Sequence, residues 1–102
     1  MTSLVTKTPA ATSDIARRHF EDMLTFETDC WDVQESLKSR KPDFVLIDVR
    51  GPALFRKGHV PGAVNIPHDK ITATYMTKYT KDKIFVVYCA GPHCNGANKA
   101  AV

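Results

Sequence analysis

The sequence predicts an α/β domain with a mostly parallel central sheet flanked by helices. Residues 44–49 and 83–88 are near-continuous apolar runs, the pattern of strands covered on both faces. Helix-patterned segments lie before, between and after them, and strands alternating with helices mean a sheet with crossover connections. The chain of 102 residues is enough for one domain. Residues 13–102 are read as that domain.

Residues 1–12 are rich in Thr, Ala, Ser and Pro, lack periodicity, and are read as a mobile arm. Ser13 is placed to cap a helix starting at Asp14, with Ala16, Phe20, Met23 and Leu24 on one face. Asp29 is the expected N-cap of a second helix, with Asp32 adding negative charge near its start. That helix is expected to run to Ser39, before the break at Arg40-Lys41-Pro42. Cys30 falls inside it and reads as a packing residue. After the strand at 44–49, residues 52–57 predict a short helical turn. Residues 58–67, Gly-His-Val-Pro-Gly-Ala-Val-Asn-Ile-Pro, read as a tight turn feeding a short strand. Residues 68–80 are helical or irregular. The strand at 83–88 ends in a Gly-containing loop, 89–96, which opens a helix over 97–102.

Composition narrows the function. Apolar residues make up 43% and charged residues 25%, which excludes collagen-like and fully disordered chains. The net charge of +3 comes from scattered Lys and Arg, not a basic cluster interleaved with aromatics. Nucleic acid is therefore not an expected partner. No run reaches the length of a membrane span, and the N-terminus lacks a signal-peptide core. Three cysteines at irregular spacing do not form a secreted disulfide framework. A reducing cytoplasm is the expected compartment, with its thiols free for chemistry.

The chemistry concentrates at Cys89, where a strand ends and a loop begins. Open α/β sheets bind ligands at the carboxyl ends of their strands. Unsatisfied N–H groups at a helix start favour an anion there, and a thiolate is such an anion. Gly91 and Gly96 let the backbone curl around it, and successive N–H groups of such a loop can form an anion nest. Cys89 is therefore the candidate nucleophile, with Ala90, Gly91, Pro92, His93, Cys94, Asn95 and Gly96 as the binding loop.

Three stretches together resemble the rhodanese family. They are Ile47-Asp48-Val49-Arg50, the 58–67 segment, and Val86-Val87-Tyr88-Cys89 followed by the glycine loop and Ala100-Ala101. The resemblance covers about residues 44–102 and implies a sulfurtransferase. In that family a cysteine takes a sulfane sulfur from a donor, holds it as a persulfide, and passes it to a thiophilic acceptor. Cys89 matches the family's nucleophile. The resemblance also implies a small-molecule donor such as thiosulfate or polysulfide and a thiol or cyanide-like acceptor, a protein acceptor included. No cofactor is implied. The family's domain continues through the last helix, another strand and a final helix, so the resemblance implies a domain truncated at Val102.

Two departures bear on the site. The loop is longer than the family's usual one, which widens the pocket. Its usual Arg is absent, with Gly96 near that place. Related phosphatases need C-x5-R to bind phosphate, and Asn95 stands sixth after Cys89, so phosphoryl transfer is disfavoured. Cys94 then adds C-x4-C, which reads either as a resolving thiol or as an inert loop residue. Two further readings stay open: a non-catalytic rhodanese-like binding module, and a Cys89/Cys94 dithiol redox or arsenate-handling protein.

The other polar residues carry quieter expectations. His93 is either a loop base or a solvated histidine. His59 is expected to fix its turn. Asp48 and Arg50 are expected to pin the loop region, Arg50 with some positive potential toward the site. Lys99 is expected to be solvated. Cys89, His93 and Cys94 lack the paired spacing of a zinc site, so no metal is expected.

Overall fold

The computed structural model describes residues 2–39, 41–91 and 93–102. The chain forms two compact units, one ending at Ser36 and one spanning Leu37–Val102.

In the first unit, Ser3 and Thr6 exchange side-chain and backbone hydrogen bonds that close a turn. Helix α1 follows at Ser13–Phe26. Ser13 is its first helical residue, not its cap. Thr12 holds the cap position with extended backbone (φ −64°, ψ 155°). The Thr12 hydroxyl is engaged with the Asp14 carboxylate, which it holds below the ordinary range. The Thr12 hydroxyl makes no capping bond to a backbone N–H. Ala16, Phe20, Met23 and Leu24 share a face, but no α1 residue is buried. Helix α2 spans Cys30–Leu37. Asp29 caps it as its sequence predicts: the Asp32 N–H donates to Asp29 Oδ1 at 2.8 Å. Cys30 opens the helix and is exposed, so the packing expected of it is not found.

The second unit is built on three parallel strands in the order β2-β1-β3. They are β1 (Val45–Asp48), β2 (Val64–Asn65) and β3 (Phe85–Tyr88). The central place of β1 explains its unbroken apolar run, since both its faces are covered. Leu46, Ile47 and Val49 are buried. β3 has one neighbour in this sheet and is half-buried throughout, although its sequence reads as fully buried. Its register places Val45 opposite Phe85 and Ile47 opposite Val87. Side chains alternate across a strand, so Phe85, Val87 and the following Cys89 share one face. That face belongs to the core, where Ile47, Val49 and Ile66 pack with Val45, Phe85, Val87, Cys89 and Ala100.

The connections follow their local sequence. Helix α3 (Pro52–Lys57) begins with Pro at its first position, where a missing N–H costs nothing. The turn before β2 closes through the Ala63 N–H on Val60 O at 3.0 Å. Pro61 and Gly62 are its central residues, and Gly62 has φ +89°, as a type II turn requires. A Cβ at Gly62 would meet nothing within 4 Å. Gly62→Ala should therefore cost about 1 kcal/mol through backbone strain alone, read as a lower urea midpoint at unchanged m-value. Two 3-10 turns, His68–Lys70 and Tyr75–Lys78, occupy the stretch before β3. Helix α4 (Gly96–Ala101) closes the unit.

Candidate functional site

The strand register divides the expected site residues between two faces of the sheet. Asp48 is paired with Tyr88, so their side chains take the face opposite Cys89. Asp48 is fully buried and accepts four kinds of donor. The Arg50 backbone N–H reaches its Oδ1 at 2.9 Å, and Arg50 Nε lies 3.0 and 3.1 Å from its two oxygens. Arg50 Nη2 donates to Oδ2 at 2.7 Å, and the Tyr88 hydroxyl donates to the same oxygen at 3.0 Å. Arg50 Nη2 also donates to Gly58 O at 2.7 Å, and Tyr88 Oη accepts the Val60 N–H at 3.1 Å. This network ties the ends of β1 and β3 to the segment that precedes β2. Asn65 extends it by donating to the Asp48 and Arg50 carbonyls at 3.0 and 2.9 Å. His59 Nδ1 meets Phe55 O at 2.8 Å and its ring stacks on Phe55 at 3.6 Å. Asp48, Arg50 and His59 are thus placed to hold the frame, with Tyr88 and Asn65 as further members.

On the core-facing side, Cys89 is half-buried. Its thiol donates toward Cys94 O at 3.6 Å and Gly91 O at 4.0 Å. The loop folds back through a turn, with the Cys94 N–H on Gly91 O at 3.0 Å. Cys94 is exposed, yet its sulfur is the better-served acceptor. The Gly96 N–H donates to Cys94 Sγ at 3.4 Å. The Cys89 thiol, the Ala90 and Gly96 N–H groups and the Lys99 charge together lower the Cys94 pKa below an ordinary thiol's. The two cysteines therefore differ in hydrogen-bond character. Cys89 offers its proton to carbonyls, whereas Cys94 collects donors as a thiolate would. Sequence reasoning aims the loop's N–H groups at Cys89 alone.

The remaining loop residues are simpler to place. His93 is exposed, and Asn95 precedes α4 with its carbonyl accepting the Lys99 N–H at 3.0 Å. Pro92 lies outside the described residues. Lys99 is exposed, and its charge still acts on Cys94.

Gly96 is buried at the centre of the site. A Cβ there would lie 3.5 Å from Cys89 Cβ, 3.5 Å from Cys94 Sγ and 3.7 Å from His68 Cδ2. His68 is the neighbour that sequence reasoning misses. It arrives because parallel pairing continues past β2: the Ile66 N–H reaches Asp48 O and the His68 N–H reaches Val49 O, each at 3.1 Å. The signal available was its place directly after the 58–67 motif. Among the described residues, no three His, Cys, Asp or Glu side chains gather as metal ligands.

The electrostatic difference between the thiols has a direct readout. Cys94 should alkylate with iodoacetamide at a lower pH than an ordinary cysteine, followed by mass spectrometry. Cys89→Ala removes a donor to the Cys94 thiolate, so the midpoint should move up. An unchanged midpoint would remove Cys89 as a cause of the shift.

Comparison with known proteins agrees with this architecture. The chain is 35% identical over 74 residues to an HTH-type transcriptional regulator from Mycobacterium tuberculosis, covering 72% of this chain and 32% of that protein. It is 33% identical over 85 residues to a "Probable molybdopterin-synthase adenylyltransferase" from Gracilaria tenuistipitata var. liui, covering 79% of this chain and 24% of that one. The chain thus spans a third or less of these curated relatives. The solved structure of the BH2092 protein from Bacillus halodurans matches with a TM-score of 0.77 and 36% identity, over 88% of this chain and 66% of that one. No helix among the described residues is long and apolar enough to cross a membrane. The parallel sheet, the strand-end loop and a match of residues 32–102 to the Rhodanese-like domain model point the same way, and the chain belongs to the rhodanese-like domain family.

Proposed function

We propose that the chain is a sulfurtransferase that carries sulfane sulfur as a persulfide on Cys89. The observation that supports this best is the position of Cys89. Its side chain follows β3 on the core face, and its sulfur meets a loop that folds back toward it. A half-buried sulfur at a strand end is accessible to a small donor, while the frame behind it is held by Asp48 and Arg50. The donor is a small sulfane compound such as thiosulfate or polysulfide. The acceptor is a thiol, a cyanide-like nucleophile or a thiol on a protein, and the site of action is the cytoplasm. With thiosulfate, the Cys89 thiolate attacks the outer sulfur, the S–S bond breaks, and sulfite leaves with its electron pair. The binding loop comprises Ala90, Gly91, His93, Cys94, Asn95 and Gly96.

The test is the mass of the Cys89 peptide after incubation with thiosulfate, polysulfide or mercaptopyruvate. A gain of one sulfur atom is expected, and Cys89→Ser should abolish it. No gain with any of the three donors would overturn the proposal.

One observation favours a second reading, a binding module without turnover. Gly96 stands near the place of the family's usual loop Arg, so the loop offers no guanidinium for an anionic donor. In the two curated relatives the matched region is a minor part of a larger protein. A partner captured equally well by the native chain and by Cys89→Ser, without donor turnover, would establish that reading.

A further inference from the structure

The contact between the two loop cysteines carries a consequence for the fate of the bound sulfur. Cys89 Sγ lies 3.6 Å from Cys94 O, and both Cys89 Cβ and Cys94 Sγ lie 3.5 Å from the Cβ position that Gly96 leaves empty. Two cysteine side chains that meet around one empty Cβ position need little backbone movement to reach disulfide geometry. The Gly96 N–H, 3.4 Å from Cys94 Sγ, holds that sulfur as an acceptor beside Cys89.

We infer that Cys94 is a resolving thiol, which attacks Cys89 Sγ of the loaded persulfide, expels the outer sulfur as hydrosulfide and closes a Cys89–Cys94 disulfide. This rests on the Cys89 persulfide proposed above. The bookkeeping is closed within the site. The Cys94 thiolate supplies the electron pair of the new S–S bond. The persulfide S–S bond breaks, and its pair leaves on the outer sulfur, which departs with the persulfide proton. Two cysteines are oxidised to a disulfide, and one sulfane sulfur is reduced to the sulfide level. A single turnover needs no other reagent. A second turnover needs a dithiol reductant to reopen the disulfide. The chain then delivers sulfide and not only transferable sulfane sulfur.

No Lys or Arg lies between residues 84 and 98, so one tryptic peptide, residues 84–99, holds both cysteines. The fully reduced native chain is desalted and given one equivalent of thiosulfate without reductant, with polysulfide as a second donor. Sulfide is measured by trapping and the peptide by mass. The native chain should release one sulfide per chain, and its peptide should lose the mass of two hydrogens. Cys94→Ala and Cys94→Ser should keep the added sulfur on Cys89, with sulfide release down by about tenfold or more. Circular dichroism of both variants checks the fold. A native chain that keeps its sulfur as stably as Cys94→Ala overturns the resolving role alone. A native chain that moves the sulfur onto Cys94 without releasing sulfide overturns it too, because attack has then fallen on the outer sulfur. If neither the native chain nor the Cys94 variants gain or release sulfur from either donor, the Cys89 persulfide itself fails, and the resolving step fails with it; if only the Cys94 variants take up none, Cys94 acts in loading and the resolving role alone is overturned.

Discussion

Asp48→Ala is expected to destabilise the Leu37–Val102 unit by about 3–5 kcal/mol, the range for removing one partner of a buried ion pair. The carboxylate is fully buried and receives the Arg50 guanidinium, the Arg50 N–H and the Tyr88 hydroxyl. Removing it leaves those donors facing one another at the ends of β1 and β3. Asp48→Asn keeps the volume but loses the charge, and its NH2 group faces donors. It should therefore also destabilise, by less than Ala. Measured by urea unfolding, a cost below about 1 kcal/mol for Ala would mean that solvent replaces the carboxylate.

The same residue sets an acid limit. Burial pushes the Asp48 carboxyl up, but the hydrogen bonds from Arg50 and Tyr88 and the Arg50 charge outweigh it and hold the group below the ordinary 3.8. A folded value below the unfolded one means that the stabilisation is complete above the unfolded value and is lost as pH falls through the folded one. Urea midpoints of the native chain should therefore fall steeply below about pH 4. Those of Asp48→Ala should fall less. Parallel curves would show that other carboxylates dominate acid unfolding.

Legibility in the sequence followed how local each determinant is. β1 and β3 announced themselves because strands with packed faces need apolar side chains at consecutive positions. β2 is two residues long and inseparable by pattern from its Pro-Gly turn, so only a short strand after a turn was readable. Asp29 was readable as a cap because its partner is three residues away. Thr12 and Ser13 were not separable, because adjacent hydroxyls read alike and only the extended backbone of Thr12 marks it as the cap. The place of Cys89 directly after β3 was legible from the apolar run that ends before it. Asp48 and Arg50 were legible as residues that pin the loop region, but their ion pair is a finding of the structure, and Tyr88 joins it only through the β1–β3 register. His68 and the acceptor character of Cys94 depend on where two loops meet around a glycine, and no local pattern records that.

Cys89→Ser should lower sulfur transfer from thiosulfate to cyanide by at least about 10³-fold, the scale seen when an essential nucleophile is removed. A serine hydroxyl is not ionised near neutral pH, and its oxygen does not replace a polarisable sulfur in holding a sulfane atom. The fold should survive, because Cys89 is half-buried and the change alters one atom. The comparison with Asp48→Asn separates chemistry from framework. Asp48 lies across the sheet from Cys89, so its variant should lose activity only in step with its folded fraction, with the folded remainder turning over normally. Cys89→Ser should instead be fully folded and inactive. If Cys89→Ser retained transfer while Cys94→Ser lost it, the carrier would be the sulfur that collects the Ala90 and Gly96 N–H groups. The strand-end position would then have named the wrong member of the pair, and hydrogen-bond polarity would outrank placement as the guide to the nucleophile.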